Sequence, residues 1–196
     1  VASEVQAKSV PLDDKEVQTS QSAVESETSR PSLKDIEQQW RNELLEKAEE
    51  AIEDRLVSLS WDEMQELVAG ILRAMGYKTN ISPIGPDRGV DIFASPDGLG
   101  LQEPRIFVEV KHRPRQAMGS QEVRSFLGGR SEGDRCLYVS TGGFSRDAQY
   151  EADRSKIAIR LLTLVDVRRL LVDHYEKLDE EIRSLIPLRR MYVLAG

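Results

Sequence analysis

Three charged side chains near the middle of the chain have the types and spacing of a reactive site: Asp91, Glu109 and Lys111. Over 105–111 the apolar Ile106, Val108 and Val110 alternate with Phe107, Glu109 and Lys111. Successive side chains of a strand point to opposite faces, so this predicts a strand with one core face and one face ending in an acid and a base. Burying adjacent charges is costly unless they pair or bind a cation. Along a strand Glu109 and Lys111 stand about 7 Å apart, near enough to act on one substrate group. The segment 90–95 alternates in the same way, with Val90, Ile92 and Ala94 on one side and Asp91 and Phe93 on the other. Asp91 is therefore expected to face Glu109. Two carboxylates on neighbouring strands make a hard oxygen site of the kind that holds Mg²⁺, which takes one or two carboxylates together with substrate phosphate and keeps several waters. Such a site polarises a phosphate and generates hydroxide, while a nearby ammonium orients the water or stabilises developing negative charge. On spacing alone, a plain salt bridge between Glu109 and Lys111 accounts for the pair equally well.

The elements that must hold these residues follow from apolar periodicity. Leu33, Ile36, Trp40, Leu44, Ala48, Ile52 and Leu56 recur at steps of three and four with charges between them, which predicts an amphipathic helix over 32–57 that packs on the domain or pairs with another copy. Ser60 is the expected N-cap of a second helix carrying Met64, Leu67, Val68, Ile71, Leu72 and Met75 and ending at Gly76. Strands are expected at 77–81, 90–95 and 105–111, with the turn-rich stretch 96–104 joining the last two. A helix capped by Ser120, a strand at 135–140, a helix from Asp147, a strand at 157–163 and a helix over 166–178 complete the order αβββαβαβα. Alternating helices and strands at the end favour parallel pairing there. The fold class is therefore α/β, a mixed central sheet flanked by helices.

Composition narrows the setting. The formal charge is −7, yet residues 1–57 hold 7 Lys/Arg against 14 Asp/Glu while residues 58–175 hold 16 of each. The acidic excess is N-terminal, and a neutral domain can still present a basic groove to a polyanion. The single cysteine, Cys136, excludes a disulfide framework and reads as structural in a reducing, cytoplasmic compartment. No apolar run approaches the roughly 20 residues of a membrane span. Residues 1–31, rich in Ser, Gln, Glu and Thr with Pro11 and Pro31, read as a disordered linker. The absence of an initiator Met suggests an excised fragment with a recognition domain upstream.

At this point the ordered motifs Gly-Pro-Asp-Arg-Gly-Val-Asp (85–91), Phe-Val-Glu-Val-Lys (107–111) and Ser-Thr-Gly-Gly-Phe-Ser (140–145), preceded by a helix ending in Gly-Tyr, identify a resemblance. Residues 60–175 resemble the catalytic domain of the Mrr-like restriction endonucleases, within the PD-(D/E)XK nuclease superfamily. The resemblance implies the restriction-endonuclease-like αβββαβ core, with Asp91 and Glu109 as metal ligands, Lys111 as the catalytic lysine, Mg²⁺ as cofactor with Mn²⁺ able to substitute, and hydrolysis of DNA. Many members carry Gln where this chain has Glu109, so this site follows the standard superfamily form. Related nucleases add a glutamate from the opening helix; the aligned residue here is Gln65, with Glu63 and Glu66 beside it, and Glu66 points away from the apolar stripe.

Further residues take expected auxiliary roles. Arg113, Arg115 and Arg124, with Arg130 and Arg135, form a local basic excess after the catalytic strand that suits phosphates. Gln121 stands where a helix start can reach the site. His112 reads as structural, Gly142-Gly143 as a strand-to-helix turn capped by Ser145, and Gly89 as a turn residue presenting Asp91, with Asp87 a further candidate ligand. The stretch 186–194 reads as a final strand or a docking arm. The resulting division is a linker over 1–31, a helix over 32–57, a nuclease domain over 58–178 and a docking segment over 179–196. The leading reading is a metal-dependent endonuclease restricting foreign or modified DNA, with a homodimer suited to double-strand cleavage. A junction- or repair-type nuclease and a non-cutting DNA-binding module are the alternatives; the intact lysine argues against the last.

Overall fold

The computed structural model describes residues 32–83 and 89–192. The expected linker over 1–31, Asp87 and most of the 85–91 motif, and the last residues of the closing stretch lie outside the described residues. Helix α1 (Leu33–Val57) opens the described chain. The chain divides between Trp40 and Arg41, and the sheet belongs to the unit Arg41–Gly196. The apolar stripe expected along α1 is buried mainly toward its end: Leu56 is fully buried and Ile52 packs on the core, whereas Ile36 and Trp40 are at least half exposed.

Helix α2 (Trp61–Ala74) begins as expected at Ser60. The Ser60 hydroxyl accepts from the Glu63 amide and the Glu63 carboxylate accepts from the Ser60 amide, closing a capping box. The helix stops at Gly76, whose φ of 102° allows the Tyr77 amide to fold back onto the Leu72 carbonyl at 3.1 Å. Strands β1 (Lys78–Ile81), β2 (Ile92–Ser95) and β3 (Ile106–Lys111) form the antiparallel half of the sheet. Helix α3 (Ser120–Leu127), β4 (Arg135–Ser140), α4 (Arg146–Asp153), β5 (Ala158–Thr163), α5 (Leu164–His174) and α6 (Glu180–Leu185) follow. The strands stand in the order β1-β2-β3-β4-β5, with β4 parallel to both β3 and β5. This is the expected mixed α/β sheet, antiparallel in its first half and parallel in its second.

Alternation along the strands creates two cores. Ile92, Val108, Val110 and Val139 meet α2 and α5 on one face, while Cys136 and Tyr138 meet Phe126, Met118 and Ala148 on the other. Three boundaries differ from expectation. Asp91 lies just before β2 and not inside it. Gly119, not Ser120, is the N-cap of α3, its amide held by Glu122 at 3.0 Å. Helix α5 starts at Leu164 because Thr163 and Asp166 form a capping box, and it ends at His174, followed by a 3-10 turn over Tyr175–Lys177. Helix α6 was not expected; its Ile182 occupies the space beside Gly70, where a β-carbon would stand 2.6 Å from Ile182 Cγ1. Beyond it the described residues, through 192, form no strand and are pinned by Tyr175, whose hydroxyl donates to the Ile186 carbonyl at 3.0 Å and accepts from the Leu188 amide at 2.7 Å.

Candidate active site

Pairing between β2 and β3 ends at Ile92 opposite Val108. One residue further back, Asp91 donates its amide to the Val108 carbonyl at 2.8 Å. Its carboxylate then reaches along β3 and accepts from the Val110 amide at 2.6 Å. Asp91 therefore satisfies a strand amide that has lost its neighbour, a charge-assisted bond of the shorter, stronger class.

On the adjoining face, Glu109 is buried to 7% exposure and its Oε1 pairs with Lys111 Nζ at 2.6 Å. The salt bridge that spacing alone allowed is thus present, but it is not alone. Burial pushes the Glu109 carboxyl above the usual carboxylate range; the hydrogen bond and charge of Lys111 oppose this, the charge of Asp91 adds to it, and Arg130 opposes it. The Lys111 ammonium thus pairs with the buried Glu109, while the Asp91 carboxylate is held on the Val110 amide between them. Gly89, at φ 72°, lays its backbone over Glu109, with the position of a β-carbon only 3.3 Å from Oε2. Among the described residues no group of three or more His, Cys, Asp or Glu converges. The donor set is two carboxylates beside strand carbonyls, hard oxygens that fit a cation of the Mg²⁺ class.

The rim is built by two loops that clasp each other. The Thr141 amide donates to the Lys111 carbonyl at 3.1 Å, Met118 donates to Gly143 at 3.0 Å and Ser145 donates to Met118 at 2.9 Å. Gly142 lies against the Arg113 and Gln116 carbonyls, Gly143 has φ 77°, Phe144 packs edge-on to Tyr138 at 5.5 Å, and Ser145 caps α4. The 140–145 motif is thus the clasp that holds the loop after Lys111.

Asp91, Glu109 and Lys111 come together. Arg113 and Arg115 are exposed on the clasped loop. Arg124 is committed to Glu151 at 3.0 Å, tying α3 to α4. Gln121 is exposed in the first turn of α3. Gln65 is buried in α2, which packs on the sheet face opposite Glu109, and its Nε2 has no hydrogen-bond partner. His112 is structural as expected, its Nε2 bonded to the Leu59 carbonyl at 2.8 Å. Three further neighbours adjoin these residues: Tyr138 and Trp61 escaped sequence reading, and Arg130 was expected only as part of the basic excess. Arg130 stacks on Phe107 and Phe126 at 5.0 and 5.3 Å and acts on Glu109. Tyr138 pairs in register with Glu109 and is fully buried, its phenol held above the usual range by burial and then by Glu109. Trp61 donates its indole N–H to the Val110 carbonyl at 3.3 Å. A cavity of about 620 Å³ lies between α2 and α5 at the starting ends of β3, β4 and β5, away from these residues.

Residues 56–171 match the family model Mrr_cat, described as a restriction endonuclease. Two solved structures are similar. One is MspJI restriction endonuclease in complex with a 27-mer oligonucleotide, at 22% identity and TM-score 0.43, covering 85% of this chain and 39% of that one. The other is AF1548, a protein of unknown function, at 19% identity and TM-score 0.37, covering 50% of this chain and 56% of that one. The chain thus spans well under two thirds of either. No curated protein matches it. Among the described residues no helix is long and apolar enough to cross a membrane.

Proposed function

The chain belongs to the Mrr-type restriction endonuclease family, and on that premise we propose that it is a divalent-metal-dependent DNA endonuclease whose reactive centre is Asp91, Glu109 and Lys111. The observation that carries the reading is their convergence on one residue of β3: the Asp91 carboxylate on the Val110 amide, with Glu109 and Lys111 paired on either side of that residue, both at 2.6 Å.

Asp91 and Glu109 would hold the cation, Mg²⁺ with Mn²⁺ as substitute. Bound there, it supplies Lewis-acid polarisation of the scissile phosphate and lowers the pKa of water. Asp91 is fixed by its hydrogen bond and presents its carboxylate without searching rotamers. Glu109 restrains the Lys111 ammonium, so that the charge stands beside the phosphate and orients the attacking water or steadies the charge that develops on oxygen. Gly89 keeps its backbone close over Glu109 and leaves no side chain in the approach. Arg113 and Arg115, exposed on the adjoining loop, bind flanking phosphates. DNA is therefore the substrate, and restriction of foreign or modified DNA the role.

The test is cleavage of methylated and unmethylated plasmid with Mg²⁺, Mn²⁺ or EDTA, comparing wild type with Asp91→Ala and Lys111→Ala. Metal-dependent nicking or linearisation is expected, with each substitution costing about 100-fold or more, the size of losing one transition-state contact. Folded wild-type protein that binds DNA and cuts neither substrate would replace this reading with a non-cutting DNA-binding module.

A further inference from the structure

Val110 is flanked by two peptide groups, one shared with Glu109 and one with Lys111. In an antiparallel ladder the N–H and C=O of one residue point to the same neighbour, and Val108 shows that on this part of β3 they point toward β2. At Val110 that neighbour is gone, because β2 has ended. The amide is taken by Asp91. The carbonyl is taken by the indole N–H of Trp61, which comes from another element altogether, 49 positions away in the chain.

Trp61 is well placed to hold it. It is the first residue of α2, and the capping box of Ser60 and Glu63 fixes the backbone there. Two residues earlier, the Leu59 carbonyl holds the His112 ring at 2.8 Å. The turn before α2 thus grips β3 on both sides of Lys111: at Val110 through Trp61 and at His112 through Leu59. The remaining polar group of Lys111's own backbone on this rim, its carbonyl, is held by Thr141. An indole that is still 38% exposed gains little from packing compared with a buried one, so its hydrogen bond is the contact that gives the position its meaning.

We infer that Trp61 is a positioning residue: its N–H fixes the plane of the Val110–Lys111 peptide and so sets the origin from which the Lys111 side chain reaches the reacting phosphate. The inference rests on the proposed nuclease reading. A second consequence concerns the same carbonyl. It belongs to the residue whose amide Asp91 holds, so charge brought to Asp91 and Glu109 polarises the oxygen that the indole donates to, and Trp61 senses it. The only other tryptophan is Trp40, which is half exposed on α1, so Trp40→Phe leaves Trp61 as the sole indole reporter.

The experiment has two arms. In the first, Trp61→Phe keeps a ring and removes the N–H. Its maximal cleavage rate at saturating DNA is expected to fall about tenfold, with plasmid binding and Tm unchanged. In the second, Mg²⁺ is titrated without DNA into Trp40→Phe protein, and Trp61 emission is expected to change with saturation and to lose that response in Trp40→Phe/Asp91→Ala. Wild-type protein that cleaves while Trp61→Phe cleaves equally well overturns the inference and leaves the nuclease reading standing. So does Trp61 emission indifferent to Mg²⁺ that activates cleavage. Wild-type protein that does not cleave overturns both, since Lys111 then has no reaction to be positioned for.

Discussion

A β-carbon on Gly142 would stand 2.2 Å from the Gln116 carbonyl oxygen and 2.4 Å from that of Arg113, and backbone atoms locked in a clasp have nowhere to move. Gly142→Ala is therefore expected to cost about 1–3 kcal/mol, the usual range for forced overpacking, and to reduce cleavage, because the same clasp seats the Lys111 carbonyl on Thr141. Thermal melts and plasmid cleavage check both, and a wild-type melt would refute the clasp. Cys136 offers an opposite case. Burial pushes its thiol up to about 11, with Arg130 partly offsetting and Asp134 adding, so iodoacetamide at pH 8 is expected to label the native protein at a small fraction of the rate for unfolded protein, as followed by mass spectrometry. At this scale Glu109 and Lys111 were legible because strand alternation has a strict period of two, whereas Asp91 stands just before β2 and reaches the site through its own bonds, its amide to the Val108 carbonyl and its carboxylate to the Val110 amide. Trp61 was not, since a bond from an indole to a strand 49 positions away leaves no local spacing to read.

The elements themselves were legible wherever a period and a stop signal coincided, as in α2 between Ser60 and Gly76. Helix α6 has neither: six residues, Glu-Glu-Ile-Arg-Ser-Leu, form a helix because Ile182 finds the hollow over Gly70. The same tertiary override explains α1, whose regular apolar steps are covered only near Leu56. The loop between β2 and β3 reads from sequence only as turn-rich, whereas its order comes from one side chain. Asp97 accepts from the Ser95 hydroxyl and from the amides of Leu99, Gly100, Leu101 and Gln102 at 2.8–3.2 Å. Burial alone would raise this carboxyl, but those donors, Ser95 foremost, hold it down at about 2. A carboxyl lowered in the folded state contributes fully above its unfolded value near 3.8 and loses that contribution as the pH falls through about 2. Amide exchange at Leu99–Gln102 is thus expected to stay protected at pH 4 and to accelerate, relative to the rest of the sheet, between pH 3.8 and 2. Uniform protection across that window would count against the staple.

For the molecule as a whole, the net charge of −7 misdescribes the face proposed to bind DNA. Two of the basic residues counted after β3 are occupied at home: Arg124 with Glu151 and Arg130 over two rings. Arg113 and Arg115 remain exposed on the rim. Each substitution to Ala is expected to weaken plasmid binding evenly across sequences and to reduce the slope of log affinity against log salt by about 1, whereas Arg124→Ala is expected to leave the slope nearly unchanged. Equal slopes for all three would move the DNA path elsewhere.

The switch from antiparallel to parallel pairing at β3 also bears on the order in which the chain assembles. Asp91 and Val110 are 19 positions apart and meet through a hairpin, while β4 and β5 join the sheet through crossovers that carry α3 and α4. Loops that are short in sequence close first, and non-local pairings follow. The acid pair and its lysine are thus a product of the local, early half of the fold, so the chemistry is framed before the half that encloses it arrives.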